Sequence, residues 1–473
     1  MKFHAIPIGP FEYEVLDEAN RVRPAHVFAD VELLAAISRD RSLEQLVNVT
    51  SLPGLVAPAF GMPDMHEGYG FPVGGVAATA LPDGVISPGG IGFDINCGVR
   101  LLTTDLDRAV FEPYRERVVH DISRSIPTGY GRGGRLVLDR PGLDRILEGG
   151  CRALLGDHGA GVADDLEVIE AGGCLAGADA SAVSERARER GADQLGTLGG
   201  GNHFIEVGVV ETVIDPAAAE RLGLRLGQIT VLIHTGSRGL GHQVCTDHVR
   251  AMDEIQARYG IELPDRQLAC VPLSAPEGRR YLSAMRAAAN FGFANRQLIA
   301  HRVRGVFARH VGRDHVLRLV YDVGHNTAKI ERHGGRDLCV HRKGATRAFG
   351  PSNPELPARY RGVGQPIFIP GSMGTASYVL LGTDAAEARS LASVCHGAGR
   401  VLARGAARRQ IAGHELRRAL EARGIMIRCP SNAELAEEAP DAYKDVDRVV
   451  EVVAGAGLAR KVARLVPLGV IKG

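Results

Sequence analysis

The sequence predicts a mixed α/β fold, and three observations carry that expectation. Short apolar runs rich in β-branched residues alternate with longer helical stretches along the whole chain. No Ser/Pro linker or low-complexity tract divides the 473 residues, and no internal repeat is visible. No apolar run is long enough to span a bilayer. Length alone gives a prior of about three domains at ~150 residues each. Candidate site residues run from position 94 to 472, and if they converge the chain is instead one fold around one site.

Composition excludes little. Hydrophobic residues are 45% and charged residues 23%, ordinary for a globular protein. The net charge of +1 makes no bulk case for nucleic acid, so any polyanion site must come from local clustering of arginines. Lysine is scarce (Lys2, Lys329, Lys343, Lys444, Lys461, Lys472), which makes each one worth inspecting. The eight cysteines form no CxxC pair and suit neither a zinc ribbon nor a disulfide scaffold, which suggests a reducing cytoplasm. Met1 to Pro7 is no signal peptide.

Residues 1–60 read as a short strand followed by amphipathic helices, one over Asp30 to Arg39 with Val31, Leu34 and Ile37 on one face. Residues 61–70 read as a polar loop in which Asp64 and His66 are candidates to support a metal ligand. Residues 72–80 are small and apolar, like a buried strand. They lead to Pro88-Gly89-Gly90-Ile91-Gly92-Phe93-Asp94-Ile95-Asn96-Cys97-Gly98, which puts a carboxylate and a thiol three residues apart in a glycine-rich turn. A hard oxygen and a soft sulfur there can present two metal ligands, although a buried thiol beside an Asx cap would look the same.

Gly129 to Gly134 formally matches GxGxxG, but no strand precedes it and no helix opens after it, so a dinucleotide site is rejected. Residues 142–195 look mostly helical and 276–310 form one long helical region. Three histidines adjoin glycine turns: His203 enters a β-rich run, while His234 and His325 close apolar strands. Strand ends are where rigid scaffolds gather chemistry. With Asp94 and Cys97, these three favour a metal centre.

Residues 341–347 read as a solvated basic loop. Pro370 to Tyr378 is rich in glycine and hydroxyls, with backbone N–H groups suited to phosphate, but lacks the lysine of a P-loop. Cys395-His396-Gly397-Ala398-Gly399-Arg400 reads as a helix start with Arg400, Arg404 and Arg408 on one face, which would set His396 beside a bound anion. Residues 411–473 read as a helix followed by short α/β elements, with Lys472 closing an apolar strand. Its amine either snorkels to solvent or points into a site shared with the other segments.

Taken in order, the stretches 87–101, 198–207, 233–241, 321–330, 341–349, 370–380 and 396–400, with Lys472, resemble the RtcB-type RNA-splicing ligases. The resemblance implies a single large α+β domain over residues 1–473, with sheets around a deep central cleft for metal and nucleotide. It implies a GTP- and manganese-dependent ligase that joins RNA 2′,3′-cyclic phosphate or 3′-phosphate ends to 5′-hydroxyl ends.

Carried over residue by residue, the resemblance gives one manganese ion Asp94, Cys97 and His203. The second ion takes Cys97, His234 and His325, and His396 becomes guanylylated. The expected nucleotide contacts are Asn202, Phe204, Glu206, Asn326, Pro370, Gly371, Ser372, Met373, Ser377, Gly397, Ala398, Gly399, Tyr443 and Lys472. Glu206 would accept from guanine N1–H and N2–H₂, and Arg238 and Arg404 are candidates for RNA phosphates. Ala403 departs from the serine that many members carry. The absence of KxDG, the lysine motif of other nucleic-acid ligases, fits a histidine nucleophile. No membrane partner is expected from the hydropathy, a monomer or weak oligomer is the expected state, and the need for an archease-like activator stays open.

Overall fold

The computed structural model describes residues 3–17, 24–56, 58–129 and 133–473. It is a mixed α/β architecture built on two large sheets. The first runs in the order Arg318–Gly324, Gly98–Asp107, Gln228–Thr235, Phe204–Val213, Ala459–Lys472, Ser377–Gly382, Pro366–Ile369. Every neighbouring pair along that path is antiparallel. Met426–Arg428 adds to Ala459–Lys472 in parallel. The second sheet runs Phe3–Gly9, Glu12–Asp17, Ala25–Phe28, Ala59–His66, Val73–Ala80, Arg336–Lys343, Asn326–His333.

Register gathers the chemistry. Gly98 pairs with Thr235 and with Gly324, and Phe204 pairs with both His234 and Lys472. One end of the first sheet therefore collects Cys97, His203, His234, His325 and Lys472 from the ends of five separate strands. His325 is the single residue between Arg318–Gly324 in the first sheet and Asn326–His333 in the second. In the second sheet Asn326 pairs with Lys343, and His66 with Val73, at the same junction. A small ladder, Ala345–Arg347 with Ser393–Cys395, delivers His396 there.

Helix Pro276–His310 is the 35-residue span expected, opened by a proline at its first position and buried along most of its length. Its buried polar side chains hold loops in place. Asn295 accepts from the Gly196 N–H (2.7 Å) and donates to the Gly236 carbonyl (3.0 Å), and Asn290 accepts from the Leu175 N–H (2.7 Å). Among the described residues no helix is long and apolar enough to cross a membrane.

Several local expectations are corrected. Among the described residues three strands, not one, precede the first helix. That helix, Val31–Ile37, is capped by Asp30 but buries Leu33 and Ile37, an i,i+4 pair, and leaves Val31 74% exposed. Residues 59–66 are a buried strand and not a loop. Residues 142–195 contain Arg140–His158, broken at Gly150, and Glu185–Gly191, with short 3-10 turns between. The basic stretch 341–347 is strand, and its charges are buried. No helix starts at His396. Arg400 precedes helix Arg404–Gln410, so the anion site expected at a helix N-terminus beside His396 is not formed. The GxGxxG match spans residues 130–132, which lie outside the described residues, and the next helix opens only at Arg140.

Candidate active site

The turn that carries Asp94 and Cys97 is held from below by buried charge. Asn96 sits at φ 52°, a left-handed conformation that costs a non-glycine residue unless its surroundings fix it. Arg296 from the long helix donates to the Asn96 carbonyl (2.7 Å) and to the Thr235 carbonyl (2.9 Å). The Asn96 amide donates to the Ala289 carbonyl (2.6 Å). Arg296 is in turn paired with Asp322 (2.8 Å), which also takes Arg100 (2.6 Å), and none of the three side chains is exposed. Removing that carboxylate leaves two buried guanidiniums uncompensated. Asp322→Ala is therefore expected to lower stability by roughly 3–5 kcal/mol in urea unfolding; a loss within ~0.5 kcal/mol, the surface-mutation range, would contradict the clamp.

Above this clamp lie the donors. His203 Nδ1 faces the Leu198 carbonyl (3.0 Å), and its Nε2 lies 2.8 Å from Asp94 Oδ2 and 3.3 Å from Cys97 Sγ. Cys97 Sγ is also 3.3 Å from His234 Nε2, which is 3.4 Å from His325 Nε2. Two triads result, Asp94–Cys97–His203 and Cys97–His234–His325, each with its ligand atoms within 4.8 Å of one another. Cys97 belongs to both. Gly236 makes room, since a Cβ there would lie 2.5 Å from Asp94 Oδ1.

The electrostatics suit cations. Burial drives His234 and His325 far below the usual imidazole range, so both offer lone pairs. Burial, and then the Asp94 charge, push the Cys97 thiol up, so a metal must displace its proton. Burial opposes ionisation of Asp94, yet His203 beside it holds the carboxyl below its ordinary value. Among the described residues Asp94 Oδ1 and His234 Nδ1 are buried without a hydrogen-bond partner. Carboxylate, thiol and imidazole converging with such an orphan oxygen fit a pair of divalent transition-metal ions.

His396 follows the short strand Ser393–Cys395 and stands over the triads, its ring 4.7 Å from that of His325. Its Nδ1 lies 2.6 Å from Asp64 Oδ2, which also accepts the His396 backbone N–H (3.2 Å). Asp64 therefore orients His396, where the sequence had suggested support for a metal ligand. His66 donates to the Asp64 carbonyl (2.9 Å), and burial takes it down to about 4. Gly399, at φ 76°, lets its backbone touch that of Asp64 where no side chain fits.

These groups share a cavity of about 630 Å³. Asp94, Cys97, His234, His325 and His396 line it, with Asn202, Phe204 and Glu206 at the mouth of one strand. Pro370 to Met373, Gly397 to Gly399, Arg404, Tyr443 and Lys472 complete the expected set on its wall. Three expected residues lie off the wall. His203 is buried behind the triad, Arg238 contacts His203 Nδ1 (3.1 Å), and Ser377 is buried opposite Leu465. Asn326 lines the cavity, but its amide donates to the Asp94 carbonyl (2.9 Å) and accepts from the Gly344 N–H (2.7 Å), joining the metal turn to the loop beneath His396.

Lys343 and Glu438 are among the wall residues that the sequence does not mark. Lys343 stood in the stretch read as a solvated loop; its amine is buried, donates to the Tyr69 and Phe71 carbonyls (2.6 and 3.0 Å), and is brought down by burial to about 7. The scarcity of lysine was the available signal. Glu438 had none, being one acid in a helical run. It is buried against Arg400 (3.2 Å), Arg404 (3.3 Å), the Tyr443 hydroxyl and Lys472 (3.7 Å), whose charges hold it ionised against burial. Lys472 donates to the His203 carbonyl (3.0 Å), and burial takes it down to about 8. Burial alone raises Glu206 to about 8.

A sequence profile of the family described as "tRNA-splicing ligase RtcB" matches residues 45–473. The RNA-splicing ligase RtcB of Mycobacterium tuberculosis is 55% identical over 436 residues, 91% of this chain and 100% of that protein. The tRNA-splicing ligase RtcB of Thermococcus kodakarensis is 50% identical over 470 residues, 98% of this chain and 97% of its own length. That of Archaeoglobus fulgidus is 49% identical over 457 residues, 95% and 94%. With the profile covering most of the chain and identities of this size along nearly its whole length, the protein belongs to the RtcB family.

Proposed function

We propose that the protein is an RNA ligase that uses GTP and manganese to join RNA 2′,3′-cyclic phosphate or 3′-phosphate ends to 5′-hydroxyl ends, in tRNA splicing or RNA repair. Its relatives' names support RNA ligation. The observation that carries the chemistry is His396, held by Asp64 in the same cavity as two metal-ligand triads.

Asp64 keeps the imidazole proton on Nδ1, so the Nε2 lone pair is the nucleophile. It attacks the α-phosphorus of GTP, a P–N bond forms, and pyrophosphate leaves with the bonding electrons. A cyclic end is opened by water to the 3′-phosphate. A 3′-phosphate oxygen then takes GMP from His396, and the imidazole leaves as it came. The 5′-hydroxyl of the second RNA attacks the activated 3′-phosphate, loses its proton, and expels GMP. Manganese held by Asp94, Cys97 and His203, and by Cys97, His234 and His325, supplies Lewis-acid charge neutralisation to these phosphates. Lys472 and Arg404 add positive charge on the same wall.

Glu206 selects guanine by accepting from N1–H and N2–H₂, which requires the carboxylate. Burial raises its free-state value to about 8, so guanine binding expels a proton below that pH. At saturating manganese GTP affinity is expected to rise with pH up to about 8 and then level. Glu206→Gln flattens the rise and narrows the preference over ATP. A wild-type affinity that is flat or falls between pH 6 and about 8 in calorimetry contradicts the role.

The function is tested with one labelled RNA ending in 3′-phosphate and a second beginning in 5′-hydroxyl. Joining should require both manganese and GTP. A joined product formed equally with ATP, or with no nucleotide, contradicts the proposal.

A further inference from the structure

A second cavity, of about 400 Å³, lies beside the first and shares Phe93 with it. Phe93 directly precedes the candidate ligand Asp94. Tyr69 meets its ring edge-on (centroids 5.3 Å, 65°), and His242 stacks on it (4.9 Å, 26°). Phe93 and Tyr69 are half-buried and His242 is exposed. Arg250 and Arg266 flank the opening, paired with Glu254 (3.4 Å) and Asp253 (2.5 Å). Gln267 fixes the wall by accepting the Gly70 N–H (2.9 Å). Apart from Phe93, none of these side chains lines the catalytic cavity.

We propose that this cavity is a nucleobase subsite that holds the RNA close to its reacting end; the proposal rests on the ligase reading. A half-buried aromatic cluster offers an apolar face on which any base can stack, because every base has a π-face. Guanidinium planes stack on bases and bond phosphate oxygens, so the two arginines serve the same ligand. Each arginine already faces a carboxylate, so the cavity selects by stacking more than by net charge. Its place fits the chemistry. Phe93 lies on the wall of both cavities and next to Asp94, so a chain whose terminal phosphate reaches the donors at Asp94 and Cys97 is within reach of the second cavity. Stacking reads no sequence, which suits an enzyme that must accept different ends.

The test uses the full chain with manganese and two fluorescent single-stranded RNAs, one ending in 3′-phosphate and one beginning in 5′-hydroxyl. Each is also made with an abasic residue near its reacting end. Tyr69→Leu is expected to weaken the RNA ending in 3′-phosphate by about tenfold or more in anisotropy titrations, and an effect confined to the other RNA overturns the placement. The abasic form of the RNA ending in 3′-phosphate should bind wild type and variant alike. Arg250→Ala should weaken the same RNA while leaving GMP adduct formation at the wild-type level. Wild-type affinity for both RNAs in both variants overturns the subsite and assigns the cavity to something other than RNA. A wild type that binds RNA but forms no adduct and joins no ends overturns the ligase reading instead, and the same titrations still decide the subsite.

Discussion

His396→Ala is expected to abolish the covalent GMP adduct and RNA joining together, with an unchanged far-UV spectrum and Tm. The side chain is the one nucleophile the proposed chemistry needs, and it occupies cavity wall rather than core. Its loss leaves Asp64 buried beside water instead of imidazole. The companion variant Asp64→Asn keeps the shape but removes the carboxylate charge beside Nδ1 and puts an amide donor in place of one oxygen. A mis-set tautomer in a histidine–carboxylate pair costs roughly 10⁴-fold in rate, so slow adduct formation rather than none is expected there. Full adduct in His396→Ala, measured with labelled GTP, would remove the residue from the mechanism.

Cys97→Ala is expected to lose manganese from both triads, because its sulfur is the only atom common to them. Losing a residue that merely supports a ligand costs about 10–100-fold in metal affinity, and a shared ligand should cost more than that. Binding must also displace the thiol proton, which burial holds on. Wild-type manganese affinity should therefore rise with pH, and the variant should lose that part of the dependence. A ligand that binds only the folded state stabilises it by about 2.7 kcal/mol at a hundredfold excess over Kd. Manganese should accordingly raise the wild-type Tm and leave that of Cys97→Ala in place. Two manganese per chain in the variant, by elemental analysis, would contradict the shared ligand.

The site was legible where chemistry sat in glycine turns at the ends of apolar strands. Asp94, Cys97, His234 and His325 stood out that way, and the register of the first sheet explains why such ends meet. The long helix at 276–310 was legible from its composition, although its buried polar residues were not, since Asn295 and Arg296 bond to loops distant in sequence. Residues 341–347 misled because charge normally marks solvent. Here Arg342 is neutralised by Glu331 (2.6 and 2.8 Å) and the Lys343 amine is hydrogen-bonded to the Tyr69 and Phe71 carbonyls, so the strand is buried with these side chains. The partner of Asp64 is not legible in the sequence, because His396 lies 332 positions away and nothing local announces the contact. The expectation of a helix at His396 failed for a similar reason. Arg400 does not continue a helical face but bonds across to Glu438 and the Tyr443 hydroxyl.

The most direct measurement is incubation of the wild-type protein with α-labelled GTP and manganese, followed by denaturing electrophoresis before and after mild acid. A labelled band that acid removes, as it should a P–N bond, and that maps to the peptide containing His396 is the predicted result. A protein that stays unlabelled under these conditions, yet opens cyclic phosphate ends without GTP, would contradict the covalent chemistry and make the two triads those of a phosphohydrolase.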